Sequence, residues 1–191
     1  MIHYGDNNSK NAMIFLHGYH QSACDARNKL KETINTNELT RYSMVIYFPN
    51  RSWFSYKNEN SFEYDNDDLC KTRTYLHKMI QQMELKFKKI FLSGYSQGAC
   101  TAIDAAFTYT KTIPILSISG FPLQDYMNKN NTIFATHGKR DKCIRLVDVR
   151  QKYKKYNNVL LVLSEADHWG FWHIKTFQLF FKDFIEKELI R

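Results

Sequence analysis

The sequence predicts one α/β domain spanning residues 1–191, with a mostly parallel sheet of about six or more strands and helices on both faces. Three observations carry this expectation. Short apolar runs alternate with helical segments along the whole chain. The runs are unbroken rather than alternating, as strands of a parallel sheet covered on both sides must be. The unusual polar clusters, His17-Gly18, Ser96, Asp141 and His168, each stand just beyond the C-terminal end of such a run, and those ends share the edge where open α/β sheets bind ligands.

The elements follow in order. Asp6 to Lys10 is polar and reads as a loose lead-in. Ala12 to Leu16 is a short strand, and His17-Gly18-Tyr19-His20-Gln21-Ser22 turns directly off its end. Residues 23–38 carry weak helical periodicity. Met44 to Phe48 is a second strand, closed by Pro49-Asn50, and Arg51 to Tyr64 reads as a long loop with aromatic clusters at Trp53-Phe54 and Tyr56. Loops of that length are often functional. Glu63, Asp65, Asp67 and Asp68 suit the start of a helix, and Leu69, Leu76, Met79, Ile80, Met83 and Phe87 give it one buried face. The methionines belong to that face and not to a cofactor site.

Ile90 to Leu92 is the next strand. Gly94-Tyr95-Ser96-Gln97-Gly98 follows it, and then Ala99, Ala102, Ala105 and Ala106. Strand, tight Gly-x-Ser-x-Gly turn and Ala-rich helix together form the setting of a nucleophile elbow. Ile113 to Ile118 and Thr132 to Thr136 are two more strands, the second ending in His137-Gly138-Lys139-Arg140-Asp141. Leu146, Val149, Tyr153 and Tyr156 mark an amphipathic helix. Val159 to Leu163 is a β-rich strand, followed by Asp167-His168-Trp169-Gly170. A last helix carries Ile174, Phe177, Phe181, Phe184 and Ile185 on one face.

Composition narrows the function classes. The chain has 43% hydrophobic residues and 15% aromatics, which excludes a disordered chain. The net charge is +8, yet the Lys and Arg are scattered, with only pairs such as Lys88-Lys89 and Lys154-Lys155. This is a solvated surface and not the tract a nucleic-acid partner needs. Cys24, Cys70, Cys100 and Cys143 show no metal spacing, so free thiols in a reducing compartment are expected. No run reaches membrane-spanning length and the N-terminus has no apolar leader core. A cytoplasmic protein without stable membrane insertion, monomeric or weakly homodimeric, is the expectation.

The chain order Ser96, Asp141, His168 is the order of the triad built on this elbow. A serine hydroxyl is a poor nucleophile near neutral pH and needs a base in hydrogen-bond reach; His168 has the right titration range. A buried Asp141 would hold the imidazole tautomer and stabilise the imidazolium. Asp167 and Asp148 compete for that role, but Asp167 adjoins the histidine and Asp148 lies inside a helix. His173 would start the last helix, and His137 would shape the acid loop. Two donors must meet the oxyanion: the backbone N–H of Gln97, and that of Tyr19, where Gly18 allows close approach. Losing one such donor costs about 100- to 1,000-fold in rate. His17 is expected to brace the turn, His20 to touch substrate or lie exposed, and Cys100 and Cys143 to be buried, inert thiols.

Leu16-His17-Gly18, Gly94-Tyr-Ser96-Gln97-Gly98, His137-Gly138-Lys-Arg-Asp141, Asp167-His168 and Pro49-Asn-Arg-Ser-Trp53-Phe54 resemble the acyl-protein thioesterase and carboxylesterase family of α/β-hydrolases, across residues 12–187. The resemblance implies hydrolysis of a small-molecule ester or thioester, or of an acylated protein, with no metal and no cofactor. Two features depart from the family: His20 and Gln21 stand where a second glycine and an aspartate are usual, and the chain is short. The short chain points to short or medium acyl groups. The aromatic residues of the Arg51–Tyr64 loop, Trp53 among them, and Phe121, Trp169, Phe171 and Trp172 are candidates to line the substrate pocket or to belong to the core. The rival to an enzyme is a catalytically silent module of this fold that binds acyl or other small ligands, favoured only by the missing glycine.

Overall fold

The computed structural model describes residues 2–5, 8–33, 43–46, 51–58, 62–127, 130–170, 179 and 182–184, with only the backbone for 2–5 and 43–46. The expected strand end at Phe48, the Pro49-Asn50 turn, Phe171, Trp172, His173 and most of the last helix lie outside these residues.

Among the described residues seven strands form the main sheet: β1 Ile2–Gly5, β2 Asn11–Leu16, β3 Ser43–Ile46, β6 Lys89–Tyr95, β7 Ile115–Ile118, β8 Ile133–Gly138 and β9 Val159–Ser164. Their order is β1-β3-β2-β6-β7-β8-β9. All pairs are parallel except β1–β3, where Ile2 faces Ile46 and Gly5 faces Ser43. Strand β1 is an addition to the sequence reading. It has no apolar run, because an antiparallel edge strand need not be buried on both faces. The stretch read as one long loop also holds a small second sheet, β4 Tyr56–Asn58 against β5 Glu63–Tyr64. Strands of two or three residues are too short to show a period.

Burial along the strands explains their unbroken apolarity. Ala12, Ile14 and Leu16 of β2 join Ile90 and Leu92 of β6 and Ile133 and Ala135 of β8 in one core. Met13, Phe15, Phe91 and Phe134 alternate with them and are equally buried. On that second face Phe184 packs its ring 5.8 Å from Phe91 and 5.0 Å from Phe134.

Among the described residues the main helices are α1 Ala23–Thr33, α2 Asn66–Glu84, α3 Gln97–Thr108 and α4 Leu146–Tyr153. Helix α2 starts where its sequence predicts: Asp65 caps it, accepting the N–H groups of Asp67 and Asp68 and so satisfying two of the unpaired amides of the first turn. It buries Leu69, Leu76, Met79, Ile80 and Met83 against the core. Helix α3 is buried from Gln97 to Phe107, and its alanines let it lie close to the sheet. Deep in this layer the Asp104 carboxylate takes both Arg73 Nε and Nη2 at 2.8 Å and the Tyr126 hydroxyl at 2.9 Å. A buried charge is tolerable only when paired and hydrogen-bonded. No helix among the described residues is long and apolar enough to cross a membrane.

Candidate active site

The C-terminal ends of β2, β6, β8 and β9 bring the singled-out residues to one rim. Ser96 sits between β6 and α3 with φ 54° and ψ −120°, a left-handed backbone that a non-glycine residue adopts only when its surroundings force it. Those surroundings are tight. A Cβ on Gly94 would fall on the backbone of Gly98, and one on Gly98 would fall on the carbonyl oxygens of Leu16 and His17. The elbow and the turn after β2 therefore touch backbone to backbone, which only glycine permits.

His168 Nε2 lies 3.0 Å from Ser96 Oγ, and His168 Nδ1 lies 2.7 Å from Asp141 Oδ2. The other Asp141 oxygen accepts the N–H groups of Cys143 at 2.9 Å and Ile144 at 2.8 Å. A carboxylate accepts from Nδ1–H, so Nε2 carries the lone pair and can take the Ser96 proton. The backbone that carries the imidazole is anchored as well, since Tyr95 donates its hydroxyl to the His168 main-chain carbonyl at 2.7 Å. Burial pushes the Tyr95 phenol well above its usual range, which keeps it a donor. Asp167 does not compete for the imidazole: its Oδ1 accepts the backbone N–H groups of Trp169 and Gly170, and these hold its carboxyl below the usual carboxylate range. Asp148 pairs with Arg145 at 2.8 and 3.1 Å.

Tyr19 and Ser96 line one cleft of about 400 Å³, whose wall also contains Tyr56, Phe62 and Trp169. Gln97 opens α3, so its N–H has no carbonyl four residues back within the helix. His20, at the position where glycine is usual, takes φ 58°. Its N–H donates to the Arg51 carbonyl at 2.7 Å. Gln21 closes the turn, its Oε1 accepting the Gly18 N–H at 3.0 Å. The departures in sequence thus leave a glycine-like backbone at His20 and an acceptor at Gln21.

The substrate candidates separate. Trp169 is on the cleft wall and 54% exposed. Trp53 is buried beneath the rim, its indole N–H donated to the His17 carbonyl at 2.8 Å, and it does not line the cleft. Its role here is to hold the turn, which the aromatic cluster alone did not distinguish from lining. Phe121 lines a neighbouring groove instead. Tyr56 of β4 and Phe62, just before β5, are aromatic residues of the Arg51–Tyr64 stretch and do line the cleft.

The thiols differ from expectation as well. Cys100 is buried and its thiol is pushed up to about 12 by burial. Cys143 is exposed and lines the cleft, correcting the expectation of a buried thiol; partial desolvation and nearby Asp141 raise its pKa. Asp141, Cys143 and His168 hold donor atoms within 4.8 Å of one another. The 2.7 Å His168–Asp141 contact is that of a hydrogen bond, since two donors on a tetrahedral ion with bonds of 2.0–2.1 Å stand about 3.4 Å apart.

One side-chain role in the site had no sequence signal, although Gln97 itself was expected to serve through its backbone N–H. The Gln97 side chain spans the rim, its Oε1 accepting the Trp53 N–H and its Nε2 donating to the Phe54 carbonyl, both at 2.9 Å.

Comparison with known proteins gives a consistent picture. The sequence model of the phospholipase/carboxylesterase family matches residues 1–174. No curated protein sequence matches. Among solved structures, Arabidopsis thaliana SOBER1 superposes with a TM-score of 0.75 at 17% identity, over 94% of this chain and 99% of that one. Zea mays acyl-protein thioesterase 2 gives 0.75 at 13% identity, over 96% and 98%. Esterase PE8 gives 0.78 at 15% identity, over 96% and 97%. At these identities the likeness is one of fold.

Proposed function

We propose that this chain, which belongs to the phospholipase/carboxylesterase family, hydrolyses carboxylic esters or thioesters through an acyl-enzyme on Ser96. The observation that carries the reading is the Ser96–His168–Asp141 relay, with contacts of 3.0 and 2.7 Å, built on a serine at φ 54°.

In this reading Ser96 Oγ attacks the substrate carbonyl as its proton passes to His168 Nε2. The tetrahedral oxyanion is met by the N–H groups of Gln97 and Tyr19, at the positive end of α3. The intermediate collapses, and His168 gives its proton to the departing alcohol or thiol. Water then attacks the acyl-enzyme with His168 again as base, releasing the acid and restoring Ser96. Asp141 fixes the imidazole and stabilises its cationic form without taking the proton. No metal or cofactor enters these steps.

The substrate is a small ester or thioester, or an acylated protein. Two structural neighbours carry esterase and acyl-protein thioesterase names, which agrees with that range. A cleft of about 400 Å³ favours short or medium acyl groups. The feature that favoured a silent binding module, the missing second glycine, loses force because His20 takes a glycine-like φ of 58°.

Treatment with a fluorophosphonate, followed by peptide mass mapping, tests the reading. A covalent adduct on Ser96 is expected in the wild type and absent in Ser96→Ala; failure to label the folded wild type would end the proposal. p-Nitrophenyl esters of rising length, beside palmitoyl-peptide and acyl-CoA thioesters, test the acyl preference, and a clear preference for palmitoyl would overturn that part.

A further inference from the structure

The candidate cleft is not isolated. Phe62, Cys143 and Ile144 line it on one side and on their other side line a second groove of about 450 Å³. This groove runs along α4. Arg145, Asp148 and Lys152 stand three and four residues apart, so they share a helix face, and Lys142 joins them from the acid loop. From Arg145 to Lys152 the helix advances about 10 Å. The charges are unbalanced, with three cations against one carboxylate. Asp148 is taken by Arg145. Neighbouring lysines such as Lys139 and Lys155 are paired with Glu165 and Asp125. Among the described residues neither Lys142 nor Lys152 has a carboxylate within ion-pair distance, and Lys152 is half-buried. Phe121 and Leu123 supply an apolar wall.

We propose that this groove is a subsite for an anionic tail of the substrate: an ester or thioester whose acyl or leaving portion carries a carboxylate, or a group of like charge, about 10 Å beyond Ile144. This rests on the hydrolase reading above. The apolar wall takes the intervening chain, Lys142 meets it near Asp141, and Lys152 meets its charged end. A neutral tail gains only the apolar contact, so the groove sorts substrates by charge as well as length. The net positive charge of the chain, unassigned by the catalytic reading, has a local use here.

The test compares p-nitrophenyl half-esters of succinic, adipic, suberic and sebacic acids with the methyl-terminated esters of equal length. A second series places the carboxylate on the leaving thiol of acetyl thioesters, distinguishing the two portions. For wild type against Lys142→Gln/Lys152→Gln, kcat/KM is expected to fall about 10-fold for anionic substrates of one series, and less than about 2-fold for the neutral ones. Raising the salt should erase the same difference. Equal losses on anionic and neutral substrates, or no loss in either series, would overturn the proposal. If no ester of any kind is turned over, the hydrolase reading fails instead. Calorimetric binding of monomethyl sebacate against dimethyl sebacate, in wild type and the double variant, then decides the groove: tighter binding of the monoanion that the variant loses supports it, and its absence overturns it.

Discussion

His137 Nε2 stands 3.6 Å from Asp141 Oδ2, the oxygen that His168 Nδ1 contacts at 2.7 Å, so two imidazoles face one buried carboxylate. They are not equivalent. His137 donates Nε2–H to the Ile144 carbonyl at 2.9 Å, and its Nδ1 is buried with no partner among the described residues. Burial lowers the His137 pKa against the opposing pull of Asp141. A neutral His137 leaves the carboxylate's charge to His168 alone.

That depressed pKa makes a stability prediction. Between the lowered folded value and the ordinary value of 6.5, the unfolded chain binds a proton at this position that the folded chain does not. Stability therefore rises with pH in that window and falls as pH drops below about 6.5. Urea denaturation at pH 7.5 and 5.5 should show a larger loss for wild type than for His137→Gln, which removes the titration. Equal losses would mean that His137 does not carry this linkage.

The Gln97 clamp predicts a stability defect separable from the backbone donor. Gln97→Ala keeps the N–H proposed to meet the oxyanion but strands the buried Trp53 N–H and Phe54 carbonyl. The expected cost is about 2 kcal/mol, read as a shifted urea midpoint at unchanged m-value. Gln97→Glu should cost more, because it sets a carboxylate oxygen against the Phe54 carbonyl.

How much of this was legible depends on the range of the interaction. The elbow was readable because strand, glycines, serine and alanines are contiguous between Ile90 and Ala106. Helix α2 was readable from its buried period. The placement of Ser96, Asp141 and His168 followed from one topological regularity, that parallel strands end on a common edge. The Gln97 clamp lies beyond such reasoning: it joins residues 43 and 44 positions apart through a side chain that looks like any polar residue at a helix start. Trp53 was ambiguous for the same reason, since an aromatic side chain does not say which side of a rim it occupies. Strand β1 had no signal because its partner, β3, lies about 40 residues away, and edge pairing leaves little hydrophobic pattern.

His20 predicts an unusual substitution series. At φ 58° a glycine is unstrained, a histidine tolerable and a β-branched residue disfavoured. His20→Gly should keep both stability and turnover of p-nitrophenyl acetate. His20→Val should be less stable than His20→Gly by about 1–2 kcal/mol, seen in thermal melts. A large loss of turnover in His20→Gly would instead place the imidazole itself in the chemistry.

Asp141→Asn tests whether the acid acts through charge and tautomer or merely through packing. Asp141 Oδ1 accepts two backbone N–H groups, from Cys143 and Ile144. An amide in its place must keep its oxygen there, because its NH2 cannot accept. The NH2 is then driven toward His168 Nδ1 and donates to it. Nδ1 becomes the acceptor, the ring proton moves to Nε2, and Nε2 can no longer take the Ser96 proton. The fold should be unaffected within about 1 kcal/mol, while kcat on an activated ester falls by about 10,000-fold, as the matching change does in trypsin-like proteases. Part of the loss should return at high pH, where a deprotonated Ser96 would need no base. If Asp141→Asn instead keeps most of its activity with the structure intact, the relay through Asp141 is not what activates Ser96.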